Sequence, residues 1–244
     1  MGCAPYNRCV LFPPLIEGRL LRRYKRFLAD VQLPSGEIVT SSVANPGAMT
    51  GLAEPGMEVW LAQHPPGGKR KLPFSWVLVR SGRNLVCVDT SIPNRMMRTE
   101  LAAQTIPQLT GYRELIAEMP LGSASRADFF LRAHNDNVLG CCWVEVKAVS
   151  LARGRVGYFP DAVTLRGRKH LAELAQRVGG GERAVQLYFV QRGDVQCVRP
   201  ADDIDPAYGA ELRRAAAAGV ELLAVQATVT KRGIELKRQI PVEL

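Results

Sequence analysis

Two strand-like stretches, RADFFL (residues 126–131) and CCWVEVKAVS (residues 141–150), decide the fold. Between them lies Asp136-Asn137, and such residues adopt the positive φ angles that a two-residue hairpin loop requires. With this pair as the loop, strand register places Asp128 directly opposite Glu145. The sequence therefore predicts an antiparallel hairpin, and the pairing determines which side chains share a face.

One face of the predicted hairpin is apolar and the other is charged, because successive strand residues point to opposite sides. The apolar face is expected in the core and holds Ala127, Phe129, Leu131, Ala133, Val144, Val146 and Ala148. The charged face is expected to be accessible to water and holds Arg126, Asp128, Glu145 and Lys147.

The charged face has the composition of a metal-dependent hydrolytic site. Neighbouring carboxylates repel each other unless a cation lies between them, and Mg²⁺ uses one or two carboxylates together with water and phosphate oxygens. Asp128 and Glu145 would hold Mg²⁺ or Mn²⁺, and Lys147 would assist the attacking water and neutralise a scissile phosphate. The alternative is an ordinary half-exposed hairpin on which Glu145 and Lys147 form a surface ion pair.

Composition narrows the class of protein. The chain has 244 residues, 47% of them hydrophobic, and a net charge of +9. It contains no apolar run approaching the ~20 residues that span a bilayer and no signal-peptide core, so a cytosolic protein without a membrane segment is expected. The six cysteines show no CxxC spacing, which favours buried free thiols. A basic surface indicates a polyanionic partner.

Residues 1–90 have the pattern of a small β-barrel. Five short strand-like runs are separated by Gly and Pro, and the five-stranded barrel found most often is the OB-fold. The runs are RLLRRYKRFLADVQL (19–33), EIVTSSV (37–43), MEVWLAQ (57–63), SWVLVR (75–80) and LVCVDT (85–90).

The first of these runs combines cations with the aromatic residues Tyr24 and Phe27, as in proteins that hold a nucleic-acid backbone and stack its bases. Its candidate nucleic-acid-binding residues are Arg19, Arg22, Arg23, Lys25 and Arg26. A second basic cluster, expected at a loop tip that contacts phosphates, comprises Lys69, Arg70 and Lys71. The alternative is that the aromatic residues are core and the arginines form a solvated strand edge.

The alternation of helix and strand patterns in residues 91–244 predicts an α/β layer with a mixed sheet. Asn94 is the expected cap of a helix reaching about Gln104, and Thr164 is the expected cap of a helix reaching Val178. Asp205 with Pro206 starts a third helix. Two further strands, 221–228 and 234–242, flank a turn and are expected to form a terminal hairpin.

The first turns of the second helix carry cationic side chains, although the partial positive charge at a helix N-terminus disfavours cations there. Arg166, Arg168 and Lys169 suit this place if a phosphate binds there, since free backbone N–H groups and basic side chains would then face one anion. The alternative is that these side chains extend into solvent. His170 is, by its position alone, more typical of a structural or solvated histidine than of a catalytic one.

Several long motifs together resemble the sugar fermentation stimulation protein (SfsA) family, and the resemblance covers nearly the whole chain. They are RRYKRFLADV (22–31), NPGAMTG (45–51), KRK (69–71), SRADF (125–129), VEVKAVSL (144–151), GYFPDAVTLRGRKHL (157–171) and PADDIDPAY (200–208).

The resemblance implies an OB-fold domain, residues 1–90, joined to a restriction-endonuclease-like PD-(D/E)XK α/β domain, residues 91–244, in a cytoplasmic DNA-binding protein. It implies catalytic roles for Asp128, Glu145 and Lys147, with Glu100 as the helix acid, and places Asp161 and Arg166 beside the metal. The expected function is a Mg²⁺- or Mn²⁺-dependent nuclease. The alternative is a non-catalytic DNA-binding regulator of sugar (maltose) fermentation genes. DNA or RNA, strandedness and oligomeric state, a homodimer included, are left open.

Overall fold

The structure is a computed structural model that describes residues 9–65, 67, 71–122, 125–133 and 140–244. Its first seven strands are β1 (Cys9–Leu11), β2 (Leu15–Tyr24), β3 (Leu28–Gln32), β4 (Ile38–Val43), β5 (Glu58–Gln63), β6 (Phe74–Ser81) and β7 (Asn84–Cys87). After them come α1 (Ile92–Ala102), β8 (Glu114–Pro120), β9 (Arg126–Arg132), β10 (Cys141–Val149), β11 (Ala152–Arg153) and β12 (Val156–Phe159). The chain continues with α2 (Leu165–Gly179), β13 (Arg183–Val190), β14 (Cys197–Pro200), α3 (Pro206–Ala217), β15 (Glu221–Val229) and β16 (Gly233–Ile240).

The N-terminal strands form the predicted OB barrel. Their order is β4-β3-β2-β5-β6-β7, and a parallel pairing of β4 with β6 closes five of them into a barrel. Its interior is filled by side chains such as Leu20, Leu61 and Trp76, each at most 1% exposed. The fold class inferred from the punctuated strand pattern is therefore confirmed.

The first barrel run is two strands, where the sequence pattern suggested one. Lys25 and Arg26 take positive φ angles of 46° and 63° and turn the chain between β2 and β3. Neither residue is the Gly or Asn that normally marks such a turn, so the composition concealed it. The turn presents Lys25, Arg26 and a half-exposed Phe27 at one end of the barrel.

The C-terminal sheet is mixed, as predicted. Its strand order is β1-β16-β15-β13-β10-β9-β8. The strands β10, β13 and β15 run parallel to one another, whereas every other neighbouring pair in the sheet is antiparallel. A small sheet of β11, β12 and β14 lies beside it. The strand β1 precedes the barrel in the chain but pairs with β16 of this sheet.

Helices cover both faces of the large sheet. On one face Met97 and Leu101 of α1 pack in a cluster with Phe129 and Val144. On the other face, Leu171 of α2 packs in a cluster with residues of α3 and with Phe130 and Trp143. The sheet is thus the middle layer of three, and α1 and α2 approach the hairpin from opposite sides.

The helix starts test the capping predictions. The hydroxyl of Thr164 accepts from the N–H of Gly167 and caps α2, and the carboxylate of Asp205 accepts from the N–H of Tyr208 and caps α3, as expected. The predicted cap Asn94 is wrong, because α1 begins at Ile92 after Ser91. Pro93 lacks an N–H and therefore suits the first turn. Asn94 lies inside the helix, and its side chain is free for another contact.

The hairpin of β9 and β10 has the predicted register. Cys141 pairs with Arg132 and Val144 pairs with Phe129, and the paired ladder ends there, one position before Asp128 and Glu145. The proposed loop, Asp136-Asn137, lies outside the described residues.

Three details of the predicted hairpin faces are wrong. Asp128 and Glu145 do not share one face, because Asp128 contacts Asn94 of α1 and Glu145 contacts His170 of α2. Ala127 belongs to the cluster on the α2 side of the sheet, not to that of Phe129. Glu145 is 3% exposed rather than open to water, because α2 covers that part of the charged face.

A contact joins the barrel to the segment before α2. The Arg23 guanidinium donates to the carbonyls of Arg26 (2.7 Å), Asn45 (2.8 Å), Gly47 (2.9 Å) and Ala48 (3.0 Å), which shapes the loop between β4 and β5. Gly47 lies so close to the carboxylate of Asp161 that a Cβ at residue 47 would overlap it.

The five cysteines in the described part of the chain are free thiols. Among the described helices, none has the length and apolar composition of a membrane span.

Candidate active site

The two central carboxylates lie where β9 and β10 separate. The backbone ladder between these strands ends at Phe129 and Val144, and Asp128 and Glu145 are the next residues on the two strands, beyond the last paired rung. The N–H of Val146 donates to Oδ2 of Asp128 at 2.8 Å. A side chain therefore takes the place of a ladder carbonyl, and this bond holds the Asp128 carboxylate beside β10.

Asp128 is a partly buried acid on the side of α1. Its Oδ1 accepts a hydrogen bond of 2.7 Å from the side-chain amide of Asn94. Burial, and next the negative charge of Glu145, raise the pKa of the Asp128 carboxyl from 3.8 to about 6, although the bonds from Val146 and Asn94 oppose the rise. Near neutral pH this carboxylate is charged at a cost that a nearby cation would remove.

Glu145 lies on the side of α2 and has two basic neighbours. Its Oε1 accepts from Nζ of Lys147 at 2.6 Å and from Nδ1 of His170. Burial alone would raise the pKa of Glu145, but the charge of Lys147 and the contact with His170 outweigh it, so the pKa lies below its ordinary value. The second oxygen, Oε2, is buried and has no hydrogen-bond partner among the described residues.

This arrangement fits a hard divalent cation. A buried carboxylate oxygen without a partner, next to a carboxylate of raised pKa, supplies unsatisfied negative charge and oxygen ligands. The described residues contain no group of three or more His, Cys, Asp or Glu side chains with metal-binding geometry. Asp128 and Glu145 thus offer two carboxylates, within the number that Mg²⁺ uses when water and phosphate complete its shell.

One cavity opens on the α2 side of the acidic pair and another on the α1 side, and Glu118 of β8 lines both. On the α2 side is a cavity of 710 Å³ lined by Glu118, Pro120, Gly122, Ser125, Arg126, Leu165, Arg166, Lys169 and His170. On the α1 side is one of 360 Å³ lined by Asn94, Arg95, Arg98, Ala117, Glu118, Asp128 and Phe129. The larger cavity brings cations to His170, the partner of Glu145, and the smaller one brings Arg95 and Arg98 beside Asp128, which suits a chain of phosphates.

The structure does not bring Glu100 to this pair. Glu100 is 1% exposed, and its Oε2 accepts from the hydroxyl of Thr105. It faces a separate cavity of 270 Å³ lined in part by Lys237 and Arg238 of β16. Asn94, six positions earlier on α1, is the helix residue that reaches Asp128.

Three of the barrel cations have partners within the barrel, although Arg19 and Arg22 among them are also exposed. Arg19 donates to the carbonyl of Gly56 at 3.1 Å, Arg22 pairs with Asp30 at 2.8 Å, and Arg23 holds the loop described above. Lys25, Arg26 and Lys71 are exposed, whereas Lys69 and Arg70 lie outside the described residues. Asp161, expected beside the metal, instead accepts from the backbone N–H of Met49 in the barrel at 3.2 Å.

The cations at the start of α2 lie beside the site. Arg166 and Lys169 line the larger cavity, Nε of Arg166 donates to Nε2 of His170 at 3.4 Å, and Lys169 approaches Glu173 at 3.8 Å. Nε of Arg168 is buried and has no hydrogen-bond partner among the described residues.

Sequence reasoning missed the contact between His170 and Glu145. A usable signal existed: His170 falls on the apolar stripe of α2 with Leu171 and Leu174, all at most 1% exposed. A buried imidazole requires a polar partner. Which partner it finds depends on how α2 packs on β10, and that packing has no local signature.

Comparison with known proteins agrees with this architecture. The family described as "SfsA N-terminal OB domain" matches residues 21–88, and "Sugar fermentation stimulation protein RE domain" matches residues 91–233. The sugar fermentation stimulation protein homologs of Maricaulis maris and Geobacter sp. (strain M21) are 48% and 46% identical over 231 residues. These alignments cover 94% and 95% of this chain and 97% and 98% of the relatives.

A solved structure, Pyrococcus furiosus SfsA in complex with Ca²⁺, superimposes with a TM-score of 0.86 at 24% identity, covering 96% of this chain and 98% of that one. Family matches across most of the sequence, and relatives with nearly half their residues identical, lead to one conclusion: the chain belongs to the sugar fermentation stimulation protein family.

Proposed function

We propose that this protein binds nucleic acid, with DNA as the expected form, and hydrolyses its phosphodiester bonds with Mg²⁺ or Mn²⁺ held by Asp128 and Glu145. The single observation that carries the proposal is the buried, unpartnered Oε2 of Glu145, a carboxylate whose charge also raises the pKa of Asp128. Leaving such an oxygen without a partner costs on the order of 1–3 kcal/mol or more. A bound cation would replace that cost with a favourable contact.

The electrostatics of the pair support the same conclusion. The negative charge of Glu145 contributes to the raised pKa of Asp128, so the two carboxylates feel each other. Lys147 partly compensates Glu145 but leaves Asp128 with its pKa near 6. A divalent cation between them would neutralise both charges, and when bound it would polarise a water molecule and a phosphate oxygen.

The protein's own residues have distinct roles in this reaction. Asn94 and the N–H of Val146 hold Asp128 in place, while Lys147 and His170 hold Oε1 of Glu145 and leave Oε2 free. Lys147, with 14% of its side chain exposed, can also donate to the scissile phosphate or the attacking water.

The cations that line the two cavities beside Asp128 and Glu145 would hold the nucleic-acid backbone. Arg126, Arg166 and Lys169 line one, and Arg95 and Arg98 line the other. Lys25, Arg26 and Lys71 of the barrel add exposed charge at a distance from the acids. The relative solved with Ca²⁺ supports a site for a hard divalent cation in this fold.

The proposal is tested by incubating purified protein with labelled single- and double-stranded DNA and RNA in Mg²⁺, Mn²⁺ or EDTA. Cleavage should require the metal, and Lys147→Ala should reduce its rate by about 10²- to 10³-fold or more. Binding should stay within severalfold, because other cations hold the backbone. Lys237→Ala, which removes an exposed lysine from β16, is the matched control and should cleave normally.

Full activity of Lys147→Ala, or cleavage that survives EDTA, would contradict the assignment. Tight DNA binding without cleavage in any metal would favour the non-catalytic regulator instead.

A further inference from the structure

Two large apolar side chains are exposed at the start of α2. Val163 is 66% exposed and Leu165 is 71% exposed, more than any other large apolar side chain in the described residues. They flank the cap residue Thr164. An apolar residue before the cap normally packs against the fourth helical residue, which here is Arg168. Local helix packing therefore gives Val163 no apolar partner, and the patch needs another explanation.

The patch adjoins the cavity on the α2 side of the site. Leu165 lines that 710 Å³ cavity together with Arg126, Arg166 and Lys169. Leu165 and Lys169 are four positions apart and so lie on the same face of the helix. His170, also in the cavity wall, contacts Glu145. An apolar surface, phosphate-binding cations and the acidic pair thus occur side by side.

This combination fits a nucleic acid whose bases are accessible. In a duplex the base faces are stacked on one another, so a protein meets phosphates and groove edges. Single-stranded nucleic acid offers base faces as well, and proteins bind it with a cationic track for the backbone and aromatic side chains on which the bases stack. Leu, Ile and similar side chains also act as wedges against unstacked bases.

We propose that Val163 and Leu165 form a stacking platform for an unpaired base, and that the preferred ligand of this site is single-stranded nucleic acid or an unpaired segment of a duplex. The inference rests on the proposed function and specifies its substrate. The phosphates flanking that base contact Arg126, Arg166 and Lys169, and the chain then passes His170 toward Asp128 and Glu145.

The test measures binding in EDTA, so that no cleavage occurs. Fluorescence anisotropy gives the dissociation constants of a labelled single strand and of the matching blunt duplex at one fixed salt concentration. The key variant is the double substitution Val163→Ser with Leu165→Ser. Its matched control is Ile38→Ser, since Ile38 is 60% exposed on the barrel. Lys169→Gln serves as the control for charge.

The wild type should bind the single strand more tightly than the duplex. The double variant should lose about fivefold or more in affinity for the single strand, the lower end of the range for one base stack, and less than twofold for the duplex. Ile38→Ser should bind as the wild type does, and Lys169→Gln should weaken both ligands to a similar extent. A 2-aminopurine base in the single strand should become more fluorescent on binding to the wild type, because packing on Val163 and Leu165 separates it from the neighbouring bases that quench it, and less so in the double variant.

Equal affinity of the double variant and the wild type for the single strand would overturn the platform. So would a dimer that dissociates in the double variant while single-strand affinity stays unchanged, because the patch would then be an interface between two copies of the chain. A wild type that binds single strand and duplex equally, and cleaves both in Mn²⁺, would overturn this inference and leave the proposed function intact. A wild type that binds neither ligand would reject the proposed function itself.

Discussion

The neighbourhoods of Asp128 and Glu145 differ although both residues belong to one hairpin. Asp128 faces α1 and receives two uncharged donors, the amide of Asn94 and the N–H of Val146, and its pKa is raised to about 6. Glu145 faces α2 and contacts Lys147 and His170, and its pKa is lowered. Neighbouring carboxylates thus have pKa values shifted in opposite directions.

The contrast shows what decides the charge of a buried acid. Glu145 is the more deeply buried of the two, so depth alone would give it the higher pKa. The order is reversed because Lys147 stabilises one carboxylate at close range and affects the other less. A site with one stabilised and one destabilised carboxylate is prepared for a cation, since the ion gains most from the acid that the protein has left uncompensated.

The largest expected effect is on the free energy of unfolding. In the absence of metal, replacing Asp128 and Glu145 by their neutral amides should change it in opposite directions. Asp128→Asn should raise the free energy of unfolding at pH 8 by about 3 kcal/mol, the equivalent of its shift from 3.8 to about 6. Glu145→Gln should lower it by about 3 kcal/mol, because Lys147, with 14% of its side chain exposed, loses its counter-ion. Urea unfolding in EDTA measures both values.

The control for this pair is Asp203→Asn, which removes an exposed carboxylate paired with Arg153. It should change the free energy of unfolding by less than about 1 kcal/mol. Changes of the same sign in Asp128→Asn and Glu145→Gln would contradict the contrast drawn here.

The pH dependence of Asp128 gives the next effect. A carboxyl with a raised pKa binds its proton more tightly in the folded state, so its contribution to stability is present at low pH and falls as pH rises from about 4 to about 6. The stability difference between Asp128→Asn and the wild type should therefore grow by about 1.4 kcal/mol per pH unit across this window and level off above it.

Metal binding should have the opposite pH dependence, because the cation competes with the proton on Asp128. The affinity for Mn²⁺, measured by calorimetry, should rise about tenfold per pH unit up to about pH 6 and then flatten. An affinity that does not change between pH 5 and pH 6 would show that Asp128 is not a ligand.

Removing the support of Glu145 on the α2 side should have a smaller effect. His170→Leu fills the same space but donates no hydrogen bond, and the Mn²⁺ affinity should fall about 10- to 100-fold, as for other residues that orient a metal ligand. His170→Asn places a donor near the position of Nδ1 and should recover most of that affinity. Equal affinities of the two variants would mean that His170 serves packing alone.

The sequence allowed these contrasts to be predicted only in part. Strand register has a period of two and depends on local pattern, so the register of β9 on β10 could be inferred. The caps Thr164 and Asp205 were also recognised, since a cap bonds residues close to itself in the chain. The β2–β3 turn was hidden, because Lys25 and Arg26 adopt positive φ without the usual residues.

What escaped prediction depended on packing between distant elements. Nothing near Arg23 in the sequence indicates that its guanidinium donates to carbonyls more than 20 positions away, or that Glu145 would be covered by α2. The sequence likewise did not determine which residues of α1 face the sheet. The helix begins at Ile92 rather than after Asn94, so Asn94 lies within it and contacts Asp128, whereas Glu100 contacts Thr105.

Asn94 provides the smallest and most specific test of the α1 side. Asn94→Ala removes one of the two donors to Asp128, a loss of about 1 kcal/mol for the charged form of the acid. Near pH 6 the Mn²⁺ affinity should fall by up to about fivefold, because the pH at which the affinity levels off moves upward: a carboxylate with fewer donors holds its proton to higher pH. Thr99→Ala on the same helix should change neither quantity. A drop in affinity without a shift in the pH of the plateau would mean that Asn94 acts on the metal site by some route other than the charge state of Asp128. The proposed difference between the surroundings of Asp128 and those of Glu145 would then have to rest on Lys147 alone.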